Sequence, residues 1–110
     1  MIEKVFGYTV SESKVIEKAV VDETVNLMHM VLPQGEGLPI HMSNANLYMT
    51  VVRGTLTITL GKNPPNVYER GKILSIPYGV LMNVRNEHPE VLELFVFKTP
   101  VPGSEIYTKK

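Results

Sequence analysis

The sequence predicts an all-β domain, a sandwich or barrel with almost no helix. β-branched and aromatic residues come in short runs, and Gly, Pro, Asn and Ser interrupt them at intervals of roughly 8–12 residues. One run alternates strictly: Thr55-Leu-Thr-Ile-Thr-Leu60 places Leu56, Ile58 and Leu60 on one face and the threonines on the other. No segment shows a helical period, an internal repeat or low complexity.

Taken in order, strands are expected near Val5–Val10, Lys14–Val21, Val25–Leu32, Leu38–Met42, Leu47–Arg53, Thr55–Leu60, Asn66–Tyr68, Ile73–Ile76, Leu81–Arg85 and Val91–Lys98. Gly54 separates two of them, where a positive φ suits glycine best. Gly61-Lys-Asn-Pro-Pro-Asn66 is a turn, because its prolines cannot donate to a central ladder. Val91-Leu-Glu-Leu-Phe-Val-Phe97 is too apolar for a strand with one wet face, so cover on both faces is expected, one of them from a partner subunit. Glu93 within it needs a partner if buried, with Arg53 and Arg85 as the candidates. Residues 99–110, rich in Pro and Lys, are expected to form an extended tail or short arm with disordered terminal lysines.

The 110 residues suit one domain and one core, with a barrel core at about 14–98. Eleven basic residues balance eleven acidic ones, which gives no electrostatic case for nucleic acid or an anionic membrane. The absence of cysteine excludes disulfides, thiolate metal sites and cysteine nucleophiles. Apolar runs fall well short of a membrane span, and the amino terminus lacks a signal-peptide layout. A soluble cytoplasmic protein is the expectation. No glycine-rich phosphate loop opens a helix, so nucleotide binding has no support.

Two spaced patterns carry a family resemblance. Gly71-Lys-Ile-Leu-Ser-Ile-Pro77-Tyr-Gly79-Val-Leu-Met82-Asn-Val-Arg-Asn86 has the spacing of G-x5-P-x-G-x2-H-x3-N, with Met82 in place of the histidine. The segment Gly35 to Gly54 has that of G-x5-H-x-H-x3–4-E-x6-G, with His41 in place but Ser43 for the second histidine and Leu47 for the glutamate. Together they resemble the two motifs of the cupin superfamily, over about half the chain. The resemblance implies a cupin-type jelly-roll barrel. In metal-binding cupins the two histidines and glutamate of the first motif converge with the histidine of the second. Here one such ligand of four remains, and Leu47 offers no donor, Ser43 a poor one and Met82 only a soft thioether.

No cofactor is therefore expected. If a transition metal binds at all, it needs a rearranged site of His41, His29 and Met82. The expected pocket is apolar and takes a small organic ligand, lined by His41, Ser43, Leu47, Tyr48, Met49 and Met82. Each residue also has a plainer reading: His41 as a core histidine bonded to backbone or water, the methionines as core filler, and His29 as partly buried at a subunit interface. Asn44 and Asn46 suit either a polar barrel mouth or turn chemistry. Two other functions stay open. One is a metal-free isomerase or epimerase with His41 as base and Tyr48 or Tyr78 as acid. The other is a dioxygenase-like metal cupin. A homodimer is expected, paired through Val5, Phe6, Tyr8 and the Val91–Phe97 strand, because exposed strand edges invite association.

Overall fold

Nine strands build two antiparallel sheets in a computed structural model that describes residues 2–109. In chain order they are β1 (Val15–Val21), β2 (Asn26–Leu32), β3 (His41–Met42), β4 (Leu47–Arg53), β5 (Thr55–Leu60), β6 (Asn66–Glu69), β7 (Ile73–Ile76), β8 (Leu81–Arg85) and β9 (Leu92–Lys98). Sheet A runs β1-β2-β9-β4-β7 and sheet B runs β3-β8-β5-β6. Consecutive strands repeatedly leave one sheet for the other, so the chain winds the two into a double-stranded β-helix. Among the described residues, no helix is long and apolar enough to cross a membrane.

The core lies between the sheets. Met30, Leu32, Leu47, Met49, Val51, Leu92, Leu94 and Val96 of sheet A face Leu56, Ile58, Met82 and Val84 of sheet B in one buried cluster. Alternation fixes the opposite set. Along β2, Met28, Met30 and Leu32 point inward, while Leu27, His29 and Val31 point to the outer face of sheet A. β9 follows the same rule with Glu93, Phe95 and Phe97 outward. This central strand thus packs on the core through one face and meets the amino-terminal segment through part of the other.

The expected strand at Val5–Val10 does not form. That segment is extended but joins no ladder, and the Thr9 amide donates to the Glu17 carboxylate (2.9 Å) instead of to a neighbouring strand. The expected Leu38–Met42 strand shrinks to His41–Met42, because Pro39 has no amide to donate. The Leu38 amide still reaches Val84 O at 2.9 Å. In the tail, Ser104 caps a short 3-10 turn over Glu105–Tyr107, and the Lys109 amide bonds to Glu105 O, so Lys109 is not the free end that was expected. Lys110 lies outside the described residues.

Two polar residues lock the motif loops. Asn86 is fully buried and donates through Nδ2 to Leu32 O and Glu90 O, both at 2.8 Å, while its Oδ1 accepts from the His88 amide. Gly54 holds φ at +79°, and a Cβ there would stand 2.4 Å from Val91 O. Glycine is required at that turn by both backbone angle and space.

Candidate functional site

The residues of the first motif separate according to the sheet alternation. His41 and Met82 are register partners on β3 and β8, so they share a face at the end of the barrel. Met82 is buried in the core, whereas His41, on an edge strand, stays exposed. Its Nδ1 donates to Pro39 O at 2.8 Å, which leaves Nε2 as the ring's acceptor nitrogen.

Ser43 is buried and fully engaged. Its hydroxyl donates to Pro77 O at 2.6 Å and accepts from the Val80 amide at 2.8 Å. Its backbone exchanges two further bonds with Val80 O and the Gly79 amide. Where the resemblance put a ligand, Ser43 ties the first motif's loop to the Pro77–Gly79 corner of the second.

Leu47 and Met49 join Met82 in the closed core. Tyr48 lies on the outer face of sheet A, 47% exposed, paired across β4 and β9 with Phe97. It is therefore on a different surface from His41. Tyr78 stacks on Tyr107 with ring centres 5.0 Å apart. His29 points to the outer face of sheet A and His41 belongs to sheet B, so the two imidazoles do not converge. The donor set does not fit a cupin-type metal centre, since Ser43 is spent on backbone, Leu47 has no donor and Met82 is packed among core side chains. Among the described residues, no group of three His, Asp or Glu side chains is placed to hold a metal ion.

Open space occurs elsewhere, along edge strand β7. One cavity of about 320 Å³ opens between the edges of the two sheets and is lined by Leu60, Tyr68, Lys72, Ile73, Leu74, Ser75 and Ile76. A second of about 320 Å³ adjoins it across Ser75 and Ile76 and includes Asn46, Leu47, Tyr48, Pro77 and Thr99. Leu47 and Tyr48 come from the expected pocket, while Leu60, Tyr68 and Leu74 were missed. Tyr68 and Leu74 lie on the edge strands β6 and β7 and Leu60 ends β5 beside them, a placement that spacing along the chain does not reveal. Asn46 serves neither the expected barrel mouth nor turn chemistry: its Oδ1 accepts from the Tyr78 amide at 2.9 Å, a tie between the two motif loops in place of a local turn bond. Asn44 accepts from Lys98 Nζ at 2.9 Å, and burial followed by the nearby Lys18 charge lowers the Lys98 pKa.

The most densely charged cluster sits on the outer face of sheet A. His29 is wholly buried, with Nδ1 2.7 Å from Glu17 and Nε2 2.6 Å from Glu93. Arg53 Nε stands 3.3 Å from the other Glu93 oxygen, so of the two arginines considered, it is Arg53 that pairs with Glu93. Tyr8 packs on both His29 and Phe95.

A double-stranded β-helix with two motif loops joined at one end defines a cupin-type barrel. The chain is 40% identical over 103 residues to an uncharacterized protein of Methanocaldococcus jannaschii, covering 93% of this chain and 89% of the relative. The crystal structure of that protein, described as an RmlC-like cupin family protein with a double-stranded β-helix fold, matches with a TM-score of 0.88 over 91% of this chain and 93% of its own. This chain belongs to the cupin superfamily. More distant structures share the fold. A cupin superfamily protein of Desulfitobacterium hafniense is 9% identical with a TM-score of 0.70, over 84% of this chain and 82% of its own. A cupin-like protein of Thermotoga maritima is 17% identical with a TM-score of 0.72, over 92% and 82%. No protein-family model matches the sequence.

Proposed function

We propose that this cupin is a metal-independent binder of a small organic molecule, held in the cleft between the edge strands β6 and β7. The observation that carries this reading is the cavity's lining. Leu60, Leu74 and Ile76 give an apolar floor, and Tyr68, Lys72 and Ser75 supply a few polar groups at the rim. A site of that kind takes an apolar body and orients it by one polar end. The chemistry of the ligand residues adds support, because three of the four motif positions no longer carry a usable donor for a hard or borderline metal ion.

The test is ligand-observed NMR against a library of small amphipathic molecules, with Leu60→Trp as the filled-cleft variant. Molecules that bind the native chain and lose at least ~10-fold in affinity to the variant fit the reading, a loss of about 1.4 kcal/mol. Hits that bind both chains equally would place the ligand elsewhere. Elemental analysis of gently purified protein supplies the complementary measurement: a near-stoichiometric transition metal per chain overturns the metal-independent reading.

The same proposal extends to assembly as a homodimer through the outer face of sheet A. Tyr48, Phe97 and Ile73 are exposed on that face, with Phe6 and Tyr8 beside them on the amino-terminal segment. At ~200 Å² for a whole aromatic side chain, their exposed parts come to roughly 500 Å² per copy. With a polar rim, that approaches the ~800 Å² per partner of a stable interface.

A further inference from the structure

We propose that the Glu17–His29–Glu93 row is a pH-responsive clasp that fastens an amino-terminal strap, residues 2–13, to the outer face of sheet A. The strap joins no sheet, so side chains hold it. Thr9 donates its amide and its hydroxyl to the Glu17 carboxylate, both at 2.9 Å. Arg53 reaches out to the two Glu12 oxygens at 2.8 and 2.9 Å and to Ser11 O at 3.2 Å. Between these ties Tyr8 covers the His29 ring, with centroids 4.7 Å apart.

Proton counting makes the clasp conditional. A neutral imidazole has one N–H and one lone pair. Both His29 nitrogens face carboxylate oxygens within hydrogen-bond distance, so a neutral ring between two carboxylates could bond to only one of them. Bonding at both ring nitrogens at once requires two protons among the three groups. Loss of the second turns a ring lone pair against a carboxylate oxygen. Gain of a third falls on a carboxylate and removes an acceptor.

The titratable groups that meet the ring are Tyr8 of the strap, Glu17 of β1 and Glu93 of β9, and behind Glu93 stand Arg53 of β4 and, paired with it, Glu12 of the strap. Arg53 offers a permanent charge to both Glu93 and Glu12. Among the described residues, His29 is the only basic side chain within ion-pair distance of Glu17. The strap is thus tied at Glu17, whose carboxylate takes both the Thr9 amide and the His29 contact. The Thr9 amide first, and the His29 contact second, hold the Glu17 carboxyl below its ordinary value. The Glu17 share of the closure is present above the unfolded carboxyl range and is lost as pH falls through that lowered value.

The full chain, labelled with ¹⁵N and followed by NMR from pH 3 to 9, tests this. Ring nitrogen shifts of His29 count its protons. Amide exchange of Thr9, corrected for intrinsic chemistry, reports strap opening. Strap opening is expected to rise by ~10-fold or more between pH 7 and pH 3 while the barrel amides stay protected. In Glu17→Gln strap opening at pH 7 rises by ~10-fold or more and its acid dependence falls to what the Glu12–Arg53 tie leaves. In Thr9→Val the strap opens at every pH while His29 keeps its contact with Glu93. A strap that stays closed at pH 3 with the barrel intact, or variants that keep the native dependence, overturns the clasp.

Discussion

Ser43 shows how a motif position keeps its place and changes its work. A histidine there would project into the barrel, whereas the shorter hydroxyl bonds to Pro77 O and the Val80 amide and closes the end of the sandwich. Ser43→Ala is expected to cost about 1–3 kcal/mol, because a buried amide and carbonyl lose their partner. Urea unfolding should show a lower midpoint at unchanged slope. An unchanged midpoint would mean that water or a shifted backbone satisfies both groups. The spacing of Gly35, His41 and Gly54 made the position of Ser43 legible in the sequence. Its role was not legible, since the partners lie 34 and 37 residues away across a sheet-to-sheet contact. Glu93 was half legible in the same way. A charge in an apolar strand demands a partner, but only the register β2–β9–β4 chooses His29 and Arg53 over Arg85.

Turns and edges behave differently from the core strands at the scale of elements. Gly54→Ala meets two obstacles together, the φ of +79° and a Cβ only 2.4 Å from Val91 O. A loss of about 3 kcal/mol or more is expected, since backbone strain and a backbone clash combine. A thermal midpoint within a degree of the native value would show that the β4–β5 turn can shift to make room. The β1–β2 turn is fastened by Asp22, whose carboxylate accepts from the Val25 and Thr24 amides. These bonds hold its pKa below the ordinary value of 3.8, so folding is favoured above that pH and the favour is lost as pH falls through the lowered value. Asp22→Asn should remove this contribution to the acid dependence of stability, measured as the difference in unfolding midpoint between pH 6 and pH 2.5. The strands of the sheets were legible from alternation and turn residues, because each buries one face. Val5–Val10 carries the same residue types and still forms no strand. Alternation records which residues suit a sheet and leaves out whether a neighbour's edge is free to receive them. In this chain the Glu17 side chain takes the Thr9 amide.

The whole molecule is a barrel whose two outer faces differ. Sheet B turns the half-buried threonines Thr55, Thr57 and Thr59 outward. Sheet A turns out Tyr48, Phe95, Phe97 and Ile73, and the strap covers only the part around His29 and Phe95. An aromatic face of this extent on a small domain is the kind of surface that marks an interaction site. A second copy is the simplest occupant, because a face with both aromatic rows and a flanking apolar strap can pair with itself about a two-fold axis. Sedimentation at micromolar concentration is expected to give a dimer near neutral pH. Phe97→Lys places a charge at the centre of that face without entering the core, since Phe97 points away from Val96 and Leu94. It should weaken association by ~30-fold or more, about 2 kcal/mol, as expected for an aromatic anchor of an interface, while thermal unfolding of the dilute monomer changes little. Val67→Lys, on an exposed position of β6 in the other sheet, should leave the dimer intact. A native chain that sediments as a monomer at 100 micromolar would reject the pairing and leave the aromatic face to a partner of another kind. Equal weakening by both variants would move the contact to the sheet edges.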